Sequence, residues 1–95
     1  MSPADAPEAP LSSESAAALW KSVGFVVETP SGQIGVVEEA VRIPGLDRPA
    51  ALAVCVLEER RRHVVLVPVT DVLEVDARRR RIRLRTAPDL SKAVR

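Results

Sequence analysis

From Val23 onward the chain is dense in Val and Ile, and turn-forming residues recur about every ten positions. Branched side chains fit a pleated, half-buried surface, and this turn spacing is the grammar of an all-β barrel or sandwich. Five or six short strands are therefore expected in one domain of 95 residues. A chain of that size buries only about 60–65% of its unfolded surface, so it gains by closing its sheet or by associating.

The first strand is expected over Val23 to Glu28, closed by Thr29-Pro30-Ser31-Gly32. There Pro30 pre-sets a turn dihedral and Gly32 takes positive φ. The second runs from Gln33 to Ile43, with Gly35 marking a bulge or a close backbone crossing. Pro44 to Pro49 is a loop, because two prolines and a glycine leave no ladder. Ala51 to Leu57 then leads through Glu58-Glu59-Arg60-Arg61-Arg62 to His63 to Val67, a hairpin with an exposed charged tip. Both strands are apolar at successive positions, which implies two buried faces or a place inside a small closed barrel. A turn near Arg60 sets Cys55 opposite Leu66 and His63 opposite Glu58. Pro68, lacking an N–H, ends that ladder. Val69 to Asp76 reads as a turn and a short strand, and Asp76 to Arg79 as a reversal. In the last strand period two turns Ile82 and Leu84 inward and Arg81, Arg83 and Arg85 outward.

The flanks differ. Residues 1–11 carry Pro3, Pro7 and Pro10 among small and acidic residues and read as a loose tail. Residues 12–22 read as a short helix, capped at Ser12 or Ser13 and docked by Trp20, with Ala16, Leu19 and Trp20 forming one apolar stripe. Residues 23–86 form the β domain, and 87–95 a C-terminal tail with a helical turn or two after Pro88.

Charge divides the chain. Residues 1–47 hold two basic and seven acidic side chains, and residues 48–95 hold twelve basic and six acidic, for a net charge of +1. Such asymmetry fits an electropositive face, while the near-neutral sum weakens steering toward a polyanion. No uncharged apolar run approaches the roughly 20 residues of a membrane helix. Cys55 is the sole cysteine, so no intrachain disulfide forms, and an export signal is missing. The cytoplasm is the compartment these features imply.

Catalytic equipment is scarce. Cys55 and His63 are the only nucleophile and base that could pair, and the hairpin register holds them several residues apart. Cys55 is expected as a small buried hydrophobe and His63 as an exposed strand-end residue beside Glu58. One His and one Cys cannot supply the three or four ligands of a metal site, and the scattered glycines form no phosphate loop. No cofactor and no small-molecule substrate are expected. What stands above background is arginine: Arg60, Arg61 and Arg62 on one hairpin, Arg78, Arg79, Arg80, Arg81, Arg83 and Arg85 on another. Guanidinium groups suit bidentate contact with carboxylate or phosphate, and they also guard edge strands against aggregation. Trp20 and Phe25 are the only rings, which disfavours base-stacking platforms.

The run Pro30 to Glu39, the apolar strand Ala51 to Leu57 and the segment Val64 to Asp76 together resemble the PRC-barrel family. The positions that carry the resemblance are Gly32, Ile34, Gly35, Val37 and Pro68, within residues 23–86. The family includes the cytoplasmic domain of the photosynthetic reaction-centre H subunit, the C-terminal domain of the ribosome maturation factor RimM, and many small bacterial and archaeal proteins. The resemblance implies a small, strongly bent β-barrel and a non-enzymatic interaction module. It brings no catalytic residues. The chain departs from the family in having no membrane helix and no companion barrel, and in placing Glu58 to Arg62 where relatives have a glycine-rich connection.

The expectation is a cytoplasmic, non-catalytic adaptor that uses strand edges and an arginine-rich surface to bind a protein or a second copy of itself, as a homodimer. The alternative is an RNA- or ribosome-associated module that binds through the arginine clusters.

Overall fold

A computed structural model of the chain describes residues 13–94. The expected tail over 1–11 and the Ser12 cap lie outside the described residues. The fold is all-β, with one short helix and a six-stranded mixed sheet. Helix α1 spans Ser13–Leu19; the strands are β1 Val26–Thr29, β2 Gly32–Val41, β3 Ala51–Glu58, β4 Arg61–Pro68, β5 Val72–Asp76 and β6 Arg81–Leu84. Single 3-10 turns follow at Val69–Asp71 and Leu90–Lys92.

The sheet order is β4-β3-β2-β1-β6-β5, so β4 and β5 are margins and the expected closed barrel is an open, bent sheet. All neighbours are antiparallel except β1 and β6, which pair Val26 with Arg81 and Glu28 with Arg83 in parallel. Other elements cover the margins that strand pairing leaves open. Helix α1 packs on β5, and the C-terminal segment reaches β4, where the Val94 amide donates to the Val64 carbonyl at 2.7 Å. Residues 87–94 are thus docked onto the sheet, and Leu90 and Ala93 pack against the core.

Three register shifts bend the sheet. Val27 faces Gly35 while Glu28 faces Gln33, which leaves Ile34 as an extra residue in β2. Val37 faces Val54 while Glu39 faces Ala53, which leaves Glu38 extra on the same strand. Leu73 is the extra residue of β5 against β6. Each bulge kinks its strand and raises its twist. The concave side then gathers Leu19, Val27, Val37, Leu52, Val54, Val65, Val67, Val72, Ile82 and Leu84 into one buried cluster.

Several local expectations shift. The first strand starts at Val26 because Phe25 N–H bonds the Ser22 carbonyl at 2.8 Å and Gly24 sits at φ 93°, a turn that leaves Val23 exposed. The β1–β2 connection is as expected: Thr29 Oγ1 accepts from the Ser31 amide at 3.1 Å, and Gly32 takes φ 123°. The β3–β4 hairpin turns on two residues, Glu59 and Arg60, at φ 49° and 67°. That tighter turn places Cys55 opposite Val64 and His63 opposite Val56, two positions from the expected register. His63 is consequently half-buried within β4 instead of exposed at its end. Trp20 lies just beyond α1, and it is Leu19, wholly buried, that docks the helix.

Candidate functional site

The nine arginines fall into two groups that the topology separates. By register, the β3–β4 tip bearing Arg60, Arg61 and Arg62 lies at the end of the sheet where β1 turns into β2. The β5–β6 turn bearing Arg78, Arg79 and Arg80 lies at the opposite end, where β1 begins, because β6 runs parallel to β1 from Arg81. The two hairpins also occupy opposite margins of the strand order.

Most of these guanidinium groups are turned onto the protein's own surface. Arg81 Nη1 meets Glu28 Oε2 at 3.2 Å across the parallel β1–β6 pair. Arg83 faces Glu74 at 3.8 Å, and Arg79 faces Asp76 at 3.9 Å. Arg85 Nε donates to the Thr70 carbonyl at 3.3 Å, and Arg80 lies 5.6 Å over the Phe25 ring. Arg85 lies beyond β6 and is half-buried, so the outward ladder is Arg81 and Arg83, with Ile82 and Leu84 buried on the opposite face. Its carboxylate neighbours lower its net positive field, although exposed pairs of this kind contribute little stability. Among the described residues, Arg60, Arg61 and Arg78 are the members of the set whose side chains make no such contact.

Arg62 behaves differently, because it crosses the convex face of the sheet. Its Nε donates to Cys55 Sγ at 3.3 Å, and its Nη2 lies 3.9 Å from Glu38 Oε1 on β2. The thiol contact, with Glu38 behind it, holds the guanidinium above its ordinary value, so it stays charged at any accessible pH. Cys55 is accordingly a half-buried convex-face residue and not a core hydrophobe.

That convex face is what the sequence pattern missed. Successive apolar residues in β3 and β4 implied two buried faces, but only the concave one is fully covered. On the convex side, Val36, Cys55 and Val64 form one cross-strand row, Glu39, Ala53 and Leu66 the next, and Val41, Ala51 and Pro68 a third. Leu57 and Arg62 make the row toward the hairpin tip. Leu57 is 68% exposed, Leu66 49% and Val36 41%. The signal available in sequence was the strict alternation of Ala51, Ala53, Cys55 and Leu57 against Leu52, Val54 and Val56. Its first set is small except at Leu57, and on this face Ala53 and Val64 are buried while Leu57, Leu66 and Val36 stay open.

The structural-motif residues fall at geometric positions. Gly32 closes the β1–β2 turn, Val37 is buried, Pro68 ends β4, and Gly35 lies against the β3 backbone at Cys55 and Val56. A second cluster braces the β2–β3 loop. Trp20 Nε1 donates to the Asp47 carbonyl at 2.8 Å, and Arg42 stacks 4.3 Å over the Trp20 ring.

Concave chemistry is limited. A hollow of about 290 Å³ lies beside Thr29, Pro30 and Leu73, and one of about 280 Å³ lies between β4 and Pro88. Among the described residues, no three His, Cys, Asp or Glu side chains converge as metal ligands, and no helix is long and apolar enough to cross a membrane.

No protein family and no curated protein matches the chain. Among solved structures, the chain is similar to a putative 16S ribosomal RNA processing protein RimM from Pseudomonas aeruginosa, at 13% identity and a TM-score of 0.48. The similarity covers 92% of this chain and 49% of that one, so the chain spans about half the length of that protein.

Proposed function

We propose that the protein is a non-catalytic interaction module whose small, braced β-sheet presents a surface to another protein or to a copy of itself. The observation that carries this reading is the contrast between its two kinds of exposed surface. The arginines are divided between opposite ends, and three of the nine, Arg79, Arg81 and Arg83, face Asp76, Glu28 and Glu74. The convex face of β2, β3 and β4 keeps apolar side chains open to solvent. A polyanion-binding surface needs concentrated unpaired cations, and single-stranded binders add aromatic platforms. Exposed apolar surface ringed by polar residues is the ordinary mark of a protein contact.

The test compares three tagged proteins in lysate with and without nuclease and across a range of salt: the parent, Leu66→Lys, and the triple change Arg60→Glu, Arg61→Glu, Arg78→Glu. A defined protein retained by the parent and the triple variant, but lost from Leu66→Lys, supports the reading. Retention of RNA or ribosomal proteins that is lost with nuclease, with the triple change, or log-linearly with salt replaces it with the nucleic-acid reading.

A further inference from the structure

We infer that the β2–β3 loop, with the basic α1–β1 and β5–β6 connections beside it, docks the protein onto an anionic lipid bilayer. This surface is distinct from the convex face, so the inference goes beyond the interaction-module reading. Residues 42–48 are exposed without interruption. At their centre the Leu46 amide donates to the Ile43 carbonyl at 3.2 Å, and Gly45 takes φ 90° after Pro44, the form of a type II turn. The run Ile43-Pro44-Gly45-Leu46 therefore projects as a tip without a charged or hydrogen-bonding side chain. Ile43 is 47% exposed and Leu46 45%, at the two corners of that turn. The loop is braced: Trp20 Nε1 donates to the Asp47 carbonyl at 2.8 Å, and Arg42 stacks 4.3 Å over the Trp20 ring.

Cations surround this tip. Arg42 and Arg48 flank it in sequence, and Lys21 is exposed next to Trp20. The α1–β1 connection continues past an exposed Val23 to Gly24, where Arg80 Nη2 lies 3.4 Å from the place a side chain would begin. Arg78, Arg79 and Arg80 thus extend the basic strip, against the carboxylates of Asp47 and Asp76. An uncharged aliphatic tip ringed by arginine and lysine, with an indole at its base, matches the layers of a bilayer interface: acyl chain, aromatic belt and phosphate. The long basic side chains reach the headgroups while their stems lie along the apolar boundary. A nucleic-acid backbone would leave Ile43 and Leu46 unmatched. A protein groove fitted to the tip gains little from cations spread onto a second turn, whereas an extended anionic sheet attracts them all within a Debye length.

The experiment is flotation of the full chain with phosphatidylcholine vesicles, either pure or with roughly one third phosphatidylserine, at low and moderate salt. The parent should float with the anionic vesicles only, and less as salt rises. Trp20 is the sole tryptophan, so bromine on the upper acyl chains of bound vesicles should quench its emission. Ile43→Ser with Leu46→Ser, and separately Arg48→Glu with Arg78→Glu, should each weaken binding roughly tenfold or more at an unchanged melting curve. If the serine pair melts early, the charge-reversed pair decides, since among the described residues neither arginine has an ion pair to lose. Leu57→Ser, on the convex face and more exposed, should bind as the parent does. A parent that ignores anionic vesicles, or that binds single-stranded RNA in their place, overturns the inference and leaves the convex-face capture test untouched. Bound protein whose Trp20 escapes quenching, or a folded paired variant that binds like the parent, overturns it as well.

Discussion

Gly35 lies against the backbone of Cys55 with no room for a side chain. A Cβ at that position would fall on the Cys55 carbonyl oxygen and stand 3.1 Å from Val56 Cα. The obstacle is backbone, which cannot rotate away as a side chain can. Gly35→Ala should therefore destabilise the protein by at least about 1–3 kcal/mol, the usual range for overpacking. Urea denaturation reads it as a lower midpoint at unchanged slope. A loss under about 0.5 kcal/mol, the level of an indifferent surface change, would contradict the tight crossing.

The glycine and the strands were legible in sequence because their signals are local. Period two in Arg81 to Leu84, the Pro30-Ser31-Gly32 turn and the interrupted run at Gly35 each bear on a few adjacent residues. What escaped depends on pairing across distance. Parallel pairing of β1 with β6 carries the Arg78 to Arg81 turn to the far end of the sheet from Arg60 to Arg62, and no local pattern announces it. The bulges at Glu38 and Leu73 carry no glycine. Residues 87–94 look like a polar tail, yet Leu90 and Ala93 reach the core once the sheet bends around them.

The β3–β4 turn escaped for a different reason. Two-residue hairpin turns with both φ positive favour Asn-Gly or Asp-Gly, and here the positions hold Glu59 and Arg60. Left-handed backbone costs a side chain roughly 1–2 kcal/mol per residue. Glu59→Asn with Arg60→Gly should consequently raise stability by about 1–2 kcal/mol in total and leave the strand content unchanged. Thermal unfolding followed by circular dichroism measures the gain. An unchanged or lower midpoint would mean that these residues hold the turn through something other than backbone conformation.

Leu19 and Trp20 are adjacent and do different work. Leu19 is wholly buried in the core cluster, whereas Trp20 is partly exposed and ties the β2–β3 loop through Asp47 and Arg42. Leu19→Ala should cost about 2–5 kcal/mol, as large-to-small core changes do. Trp20→Phe keeps a ring beneath Arg42 but removes the indole donor, so its loss should be closer to the about 1 kcal/mol of one hydrogen bond. Chemical denaturation of both variants orders them, and a larger loss for Trp20→Phe would reverse the assignment of the helix anchor.

The C-terminal 3-10 turn is pinned by a titratable cap. Asp89 Oδ1 accepts from the Ser91 hydroxyl at 2.6 Å and from the Ser91 amide at 2.9 Å, and these two bonds hold its carboxyl below the ordinary carboxylate value. A carboxyl whose folded value is depressed adds stability above its unfolded value and loses that contribution as pH falls through the folded one. The segment from Leu90 to Val94 should therefore loosen only in acid, below the ordinary carboxylate range, and the Val94-to-Val64 bond should loosen with it. Amide exchange at Ser91 and Val94, measured on descending pH and corrected for intrinsic rates, should show protection falling in that window and not near neutrality. Asn keeps a capping oxygen without a titrating group, so Asp89→Asn should flatten the profile while retaining the turn. A parent profile as flat as that of Asp89→Asn would show that the cap does not hold the segment against β4.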